Sequence, residues 1–548
     1  VKYCAAIVSG LFLAMAVPNE GALYGSVLLG FFCLAPYFAA LRLSRSYGEA
    51  ALMGFMFGAV SHTASSYWLV FFEGYAIWTV GATALVYGIA HAAVAGFLRF
   101  VSADRIGGNR AVAPGVRSFR PLLTAAVWTV WEWLKSVGFL GFPWGLVAYA
   151  LNNRPRMIQI ADITGVYGLS FILALSSAVI AEAVFCVPGL RFVKNGKSLR
   201  VRGISRLNPA LPGAAVFAGL LAMTLIYGVY RLSRPTPVCG HVPLLLVQHN
   251  ADSRNRSELN VLGEAVRLSR EGTEQFRNYS DYPRPALIVW SESVLRRPFE
   301  EYRSYYVKNP PDNPLLPFLA ETGIPLLTGA PVVHNWERYE ASNSAVLISP
   351  DGGILFSYAK QHPVPFAEAV PFIEYPWMKR FMRDIVGFDG SWTMGTEYVV
   401  MELPRGDGKT LRFGTPICFE DAFAGLCGTF FERGADILIN LTNDSWSRRK
   451  SAETQHFAAA RFRAVENRRV LVRSANSGVT AVIDAEGGIL GMLPLFESGF
   501  LAMDVPVQIS GNPTVYAVLG DWLPALCALG LFGYIVLSLA GQKRRPRR

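Results

Sequence analysis

Three residue types able to do covalent chemistry each close a short β-rich run in the C-terminal half of this sequence. Glu292 ends "ALIVWSE", Lys360 ends "ILFSYAK" and Cys418 ends "LRFGTPIC". Two more acids lie close by in the chain, Glu368 in "FAEAVP" and Glu420 in "CFE". Open α/β sheets present chemistry just beyond the carboxyl ends of their strands. A carboxylate there can take a thiol proton, and a lysine can steady the charge that develops on a carbonyl oxygen. A cysteine at a strand-to-helix turn also meets backbone N–H groups and the positive helix end, and both lower a thiolate's pKa. The bland reading is equally simple. Most free cysteines are small buried hydrophobes, and a Glu or Lys at a strand end is commonly just solvated. Spacing alone leaves both readings open.

The elements that must position these residues read as α/β. "PLLLVQHN", "PALIVWSE", "IPLLTGAPVV", "SAVLISP", "ILFSYAK", "LRFGTPIC", "ADILINLTN", "RVLVRSAN" and "TAVIDAEG" are short β-rich runs bounded by turn residues. "PDGG" and "AEGG" are hairpin signals. Helices fit at 256–279, 312–322, 421–433 and 453–467. No internal repeat is visible.

The N-terminal half has another character. A membrane span needs about 20 mostly apolar residues, and runs of that kind cover roughly 3–17, 22–41, 50–72, 75–98, 121–150, 161–187 and 209–231, with a last one at 514–539. The first competes with a signal peptide ending at "LAMAV"; further spans follow at once, which favours a retained helix. Arg42, Arg45, Arg99, Arg105, Arg110, Arg117, Arg120, Arg191, Lys194, Lys197, Arg200, Arg202 and Arg206 share one side if the spans alternate, together with the tail Lys543, Arg544, Arg545, Arg547 and Arg548. The positive-inside rule makes that side cytoplasmic. Arg154 and Arg156 are the exception. The expected organisation is a membrane domain at 1–231 with seven spans, an external domain at 232–513, and a final span with a basic tail at 514–548.

Composition agrees. Of 548 residues 52% are hydrophobic and only 17% charged, against roughly 25% in soluble domains. The net charge of +11 sits largely in loops between apolar runs, which speaks against nucleic-acid binding. Cys4, Cys33, Cys186, Cys239, Cys418, Cys427 and Cys527 form no CxxC pair, and the histidines show no HExxH spacing, so neither a disulfide framework nor a metal site is expected. No cofactor is expected either.

Glu, Lys and Cys in that chain order resemble the nitrilase superfamily. "IVWSES", "YAKQHPVPFAEAVPF", "PICFED", "NLTNDSW" and "RFRAVENRRVLVRSANSGVTAVID" are similar to the apolipoprotein N-acyltransferase family, and "GFPWGLVAYALNNRPRMIQIADITGVYGLSFI" is similar to its membrane half. The resemblance covers nearly the whole chain. It implies a multi-pass α-helical bundle of about eight spans carrying an external nitrilase-like α-β-β-α sandwich. It also implies a two-step reaction, from phospholipid to cysteine thioester and then to the amine of an apolipoprotein's diacylglyceryl-cysteine. By the match Cys418 is the nucleophile, Glu292 the general base and Lys360 the oxyanion-side cation. Glu368 and Glu420 match acidic positions, one of which positions Lys360 or the incoming amine. A monomer in the bacterial inner membrane, its catalytic domain periplasmic, is implied. Ala367, Phe419 and His249 depart from the commoner family residues.

Trp377, Met378, Phe381, Met382, Phe388 and Trp392 suit either a lipid-facing lid or a core, and Glu132 and Lys135 could pair on one helix face. The rival readings are a membrane-anchored amidase with water as acceptor, and a transporter or sensor whose external domain only binds ligand.

Overall fold

A computed structural model describes the chain except residues 72–75, 103–104, 107–109, 112–118, 186–190, 195–196, 201–209, 252–256, 339, 366, 371, 387–390, 406–407 and 544–548. Arg117, Arg202, Arg206, Phe388 and the tail Arg544, Arg545, Arg547 and Arg548 therefore lie outside the described residues. The chain divides into two compact units. One comprises 138–140 and 234–517, the other the remainder.

The 234–517 unit holds two six-stranded sheets. The first contains β1 (Val238–Gln248), β2 (Leu287–Val289), β3 (Leu326–Asn335), β4 (Glu340–Ile348) and β5 (Ile354–Ala359). The second contains β6 (Val400–Pro404), β7 (Thr410–Gly414), β8 (Ile437–Thr442), β9 (Leu471–Ala475), β10 (Ala481–Ile483) and β11 (Ile489–Met492). The chain then returns as β12 (Gly499–Gln508) to the edge of the first sheet, giving the order β12-β1-β2-β3-β4-β5 beside β6-β7-β8-β9-β10-β11. In each sheet three central parallel strands have one antiparallel neighbour on one side and two on the other. The two sheets thus repeat one pattern, although the sequence shows no repeat. Topology is preserved by which faces are apolar, and many residues satisfy that.

Period-two alternation builds the layers. Leu244 and Leu246 of β1 join Leu287, Val289, Leu411 and Phe413 between the sheets. Leu245 and Val247 point the other way, onto Leu262 and Val266 of α1 (Glu258–Gln275) and toward Phe318 of α2 (Leu315–Thr322). On the far face α3 (Ala424–Glu432) and α4 (Lys450–Asn467) pack against β7, β8 and β9. The result is the expected α-β-β-α sandwich. Strands β6, β11 and β12 were not legible as runs. β12 carries Asp504 and two breaks in its apolar pattern, and its Pro506 sits at a register shift, a placement that edge strands tolerate.

The other unit is helical. Among the described residues four helices are long and apolar enough to cross a membrane: Thr79–Ser102, Val166–Val184, Ala210–Leu232 and Trp522–Ala540. Val166–Val184 is buried along most of its length, whereas Trp522–Ala540 leaves Leu526, Leu529, Phe532 and Leu537 exposed. So large an apolar surface is suited to lipid. Of the remaining apolar runs, Lys2–Ala16, Val27–Phe32 followed by Ala35–Arg42, and Arg120–Leu134 are shorter or broken as helices, while Tyr47–Ser65 is a continuous helix of 19 residues that is not apolar enough to join the four. The run 121–150 leaves helical form after Leu134, where "SVGFLGFPWG" follows. Glu132 and Lys135 do not spend their hydrogen bonds on each other. Glu132 accepts from the Val147 N–H at 2.8 Å and from Ser170, and Lys135 donates to the Trp144 carbonyl at 2.9 Å. These bonds satisfy the irregular backbone, which a low-dielectric setting requires.

One glycine fixes how closely the first sheet passes the Glu292 turn. A Cβ on Gly329 of β3 would lie 2.4 Å from the Ser293 nitrogen and 2.8 Å from the Glu292 Cα. Both neighbours are backbone, so nothing there can swing aside. Gly329→Ala is expected to lower stability by about 1–3 kcal/mol, as overpacking does, and to displace Glu292. Thermal unfolding of the detergent-solubilised protein tests this, and an unchanged midpoint would refute the close fit.

Candidate active site

Glu292 lies just past β2, Lys360 just past β5, and Cys418 four residues past β7, where Ile417 still bridges to Leu441 of β8. Stacking the sheets brings these ends together. Lys360, almost fully buried, has its Nζ 2.8 Å from the Glu368 carboxylate and 3.6 Å from Glu292 Oε1. Burial works against the ammonium, but Glu368 and then Glu292 outweigh it and hold the lysine above its ordinary pKa.

Glu292 is held at both oxygens. Oε1 accepts from Asn343 Nδ2 at 2.8 Å, and Oε2 accepts from the Asn443 N–H at 2.9 Å. The Cys418 thiol lies near enough to this carboxylate for the two groups to act on each other's titration. Burial raises the Glu292 pKa, with Lys360 opposing. Asn343 reaches Glu368 as well, at 3.3 Å, so one amide braces both acids around the lysine.

Cys418 is half-buried and has φ +51°. Left-handed backbone at a non-glycine residue costs of order 1–3 kcal/mol and persists only where its surroundings enforce it. Here Asn440 Nδ2 donates at 3.0 Å to both the Pro416 and the Cys418 carbonyls, closing the turn. The expected lowering of the thiol pKa does not occur. A short 3-10 turn, Cys418–Ala422, separates the cysteine from α3, so the positive helix end is not at the sulfur. Burial and then the Glu292 charge push the thiol well above its ordinary range, against Lys360. The resting site therefore holds a thiol beside a buried carboxyl group rather than a preformed thiolate.

The two supporting acids separate clearly. Glu368 takes Lys360 and is oriented by the Val364 N–H at 2.8 Å. Glu420 lies deeper. Its carboxylate accepts from the N–H groups of Ile417, Gln361 and His362 at 2.7, 2.7 and 2.9 Å, and from the Tyr358 hydroxyl. Burial pushes it up to about 7. Glu420 thus ties the end of β5 to the cysteine's turn across the two sheets. Asn343, Asn443 and Asn440 went unread in sequence because neutral amides carry no motif. The signal available was polar residues at the inward ends of strands.

Above the site, the Lys360 carbonyl accepts from the Gly395 N–H, and the Glu368 carbonyl from the Trp392 N–H. The neighbouring segment exposes Phe372, Tyr375, Trp377 and Phe381, as well as Trp392 itself, while Met382 is buried and Met378 partly so. Phe419 packs on Phe423 and His362, with ring centroids 4.8 and 5.5 Å away. Among the described residues no group of three or more His, Cys, Asp or Glu side chains could hold a metal ion.

A thiol, a neighbouring carboxylate and a buried ammonium can together form and break a thioester. Two family models match the chain. The apolipoprotein N-acyltransferase N-terminal domain matches residues 9–179, and carbon-nitrogen hydrolase matches 315–510. A Treponema denticola protein named apolipoprotein N-acyltransferase 2 is 38% identical, covering 98% of this chain and 97% of the relative. The chain belongs to the apolipoprotein N-acyltransferase family. Its namesake from Treponema pallidum is 36% identical over 96% of this chain and 92% of its own, and the apolipoprotein N-acyltransferase of Borreliella burgdorferi is 29% identical over 95% and 92%. Lys360, Glu368, Cys418 and Glu420 fall inside the carbon-nitrogen hydrolase match; Glu292 lies before it.

Glu420→Gln would turn an NH2 toward backbone N–H donors. Left unsatisfied, such a group costs about 1–3 kcal/mol. The variant is expected to unfold at lower temperature and to lose acyl-transfer activity. Wild-type values for both would show that the tie across the sheets does not matter.

Proposed function

We propose that this protein transfers a fatty acyl chain from a phospholipid, through a Cys418 thioester, to the N-terminal amine of the diacylglyceryl-cysteine of apolipoproteins. The observation that carries it is the meeting of Cys418, Glu292 and Lys360 at the strand ends of an acyltransferase-family chain. Glu292 takes the thiol proton as sulfur attacks the ester carbonyl. Lys360 steadies the resulting oxyanion. The leaving lysophospholipid oxygen takes the proton back from Glu292 as the C–O bond breaks. In the second half the acceptor amine attacks the thioester, Glu292 takes its proton, and the sulfur leaves and is reprotonated.

Both substrates are membrane lipids. Residues 1–231 form the membrane domain in this reading, 232–513 the catalytic domain outside the cytoplasm, and 514–548 the last span and tail. About eight helices cross the bacterial inner membrane, which leaves the site on the periplasmic side, and a monomer suffices. The exposed aromatics Phe372, Tyr375, Trp377, Phe381 and Trp392 support an apolar approach for the acyl chain, and shielding from bulk water lets a thioester outlive the departure of the first product.

Cys418→Ala should abolish both half-reactions in a folded protein, whereas Cys427→Ala should not. Glu292→Gln should slow thioester formation by a factor on the order of 10²–10⁴, and Lys360→Met by about 10²–10³. Because the Glu292 pKa is raised, the base is lost as pH falls through a value above the ordinary ~4.3. Wild-type thioester formation should thus decline on the acid side, and Glu292→Gln should lack that limb. Intact mass should show acyl-Cys418 when phospholipid is given alone, discharged by a peptide with a free diacylglyceryl-cysteine amine and not by its acetylated form. Rapid loss as free fatty acid without peptide would make the protein a lipid hydrolase.

For topology, a reporter active only outside the cytoplasm should signal when fused near Pro310 and stay silent after Arg548. The reverse pattern would overturn the orientation.

A further inference from the structure

A second group of buried charges adjoins the Cys418 turn, and the chemistry above does not use it. Asp421 comes from the turn itself, Asp444 from the segment after β8, Glu453 and His456 from α4, and Arg473 from β9. All are at most 5% exposed. His456 lies between two acids, with Nε2 2.9 Å from Asp421 Oδ1 and Nδ1 3.0 Å from Asp444 Oδ1. Asp421 belongs to the same 3-10 turn as Cys418, whose carbonyl Asn440 holds, so the ring grips that turn through Asp421. Arg473 contacts Asp421 and lies 3.7 Å from Asp444.

Both ring nitrogens of His456 face carboxylates, so both must carry protons, and the ring is an imidazolium. Burial opposes that charge, but Asp444, hydrogen-bonded to the ring, leads the neighbours that outweigh it and raise its pKa. Burial, and then the Asp444 charge, push the Glu453 carboxyl well above the usual carboxylate range. Two aspartates thus face the histidine and the arginine, acids paired with bases as a dry site requires. The group also acts on the sulfur. Asp444, with Glu292 and Glu368, disfavours the thiolate, and Lys360 favours it.

We propose that His456 is a positioning residue for the nucleophile: through Asp421 it holds the turn that carries the left-handed Cys418 and brings a fixed positive charge to that turn. A neutral side chain of similar shape can replace the hydrogen bond and not the charge. The proposal rests on Cys418 being the nucleophile, and its test reads the thiol directly.

The test is the pH dependence of iodoacetamide alkylation at Cys418, followed by mass in the full-length protein in detergent. His456→Gln should move the midpoint up by about one pH unit, which means about tenfold slower alkylation below it. Asp444→Asn should move it down, because Asp421 still faces the ring and keeps it charged. With phospholipid, His456→Gln should slow single-turnover thioester formation about tenfold and leave half-saturation unchanged. A purely structural histidine would leave the profile where it is. A wild-type profile in His456→Gln overturns the proposal. If that variant does not fold, His456→Asn is read in the same way, and a wild-type profile in it overturns the proposal. Should Cys418→Ala retain acyl transfer, the functional reading falls instead, and the alkylation result stands apart from it.

Discussion

A buried ammonium between two carboxylates organises the site. Lys360 cannot sit in a dry interior without compensation, and Glu368 and Glu292 supply it at 2.8 and 3.6 Å. The two acids in turn stand close together around the lysine, whose positive charge offsets their repulsion. Each acid is then fixed from outside the trio, Glu292 by Asn343 and the Asn443 N–H, Glu368 by Asn343 and the Val364 N–H. Removing any one charge leaves the others unbalanced where water cannot help. That interdependence makes the geometry stiff.

The stiffness depends on two sheets meeting in one register. The first sheet supplies Glu292 and Lys360, the second supplies Cys418. Polar ties cross between them at this end of the sandwich. Glu420 joins the β5 end to Ile417, Asn443 joins the β8 end to Glu292, and Ser474 of β9 donates to the Val289 carbonyl of β2 at 3.2 Å. Apolar packing between sheets tolerates small slides; directional hydrogen bonds do not. The inter-sheet core thus provides the free energy of stacking, and these few bonds provide its alignment. The strained cysteine backbone is one consequence. It is held by Asn440 and His456, whose own places are set by β8 and α4.

The helical unit follows a different rule. Its long apolar helices leave bulky side chains outward, while polar groups such as Glu132 are turned inward to satisfy irregular chain. In a sandwich domain a buried acid serves chemistry or alignment. In lipid it serves the backbone, because nothing else there can.

By itself the sequence determined the class of each half, the family, and the three strand-end residues, because apolar periodicity and chain order are local properties. It also placed Glu368 and Glu420 near the site. Tertiary structure alone decided that Glu368 meets the lysine while Glu420 staples the sheets. Both are acids in similar loops, and only the stacking tells which faces Nζ. It likewise decided that the thiol is held protonated rather than activated by a helix end, since burial and the Glu292 charge act through space. Asn343, Asn440 and His456 were invisible for the same reason. Their partners lie tens to hundreds of residues away along most of these contacts, and no spacing in one dimension records a hydrogen bond made in three.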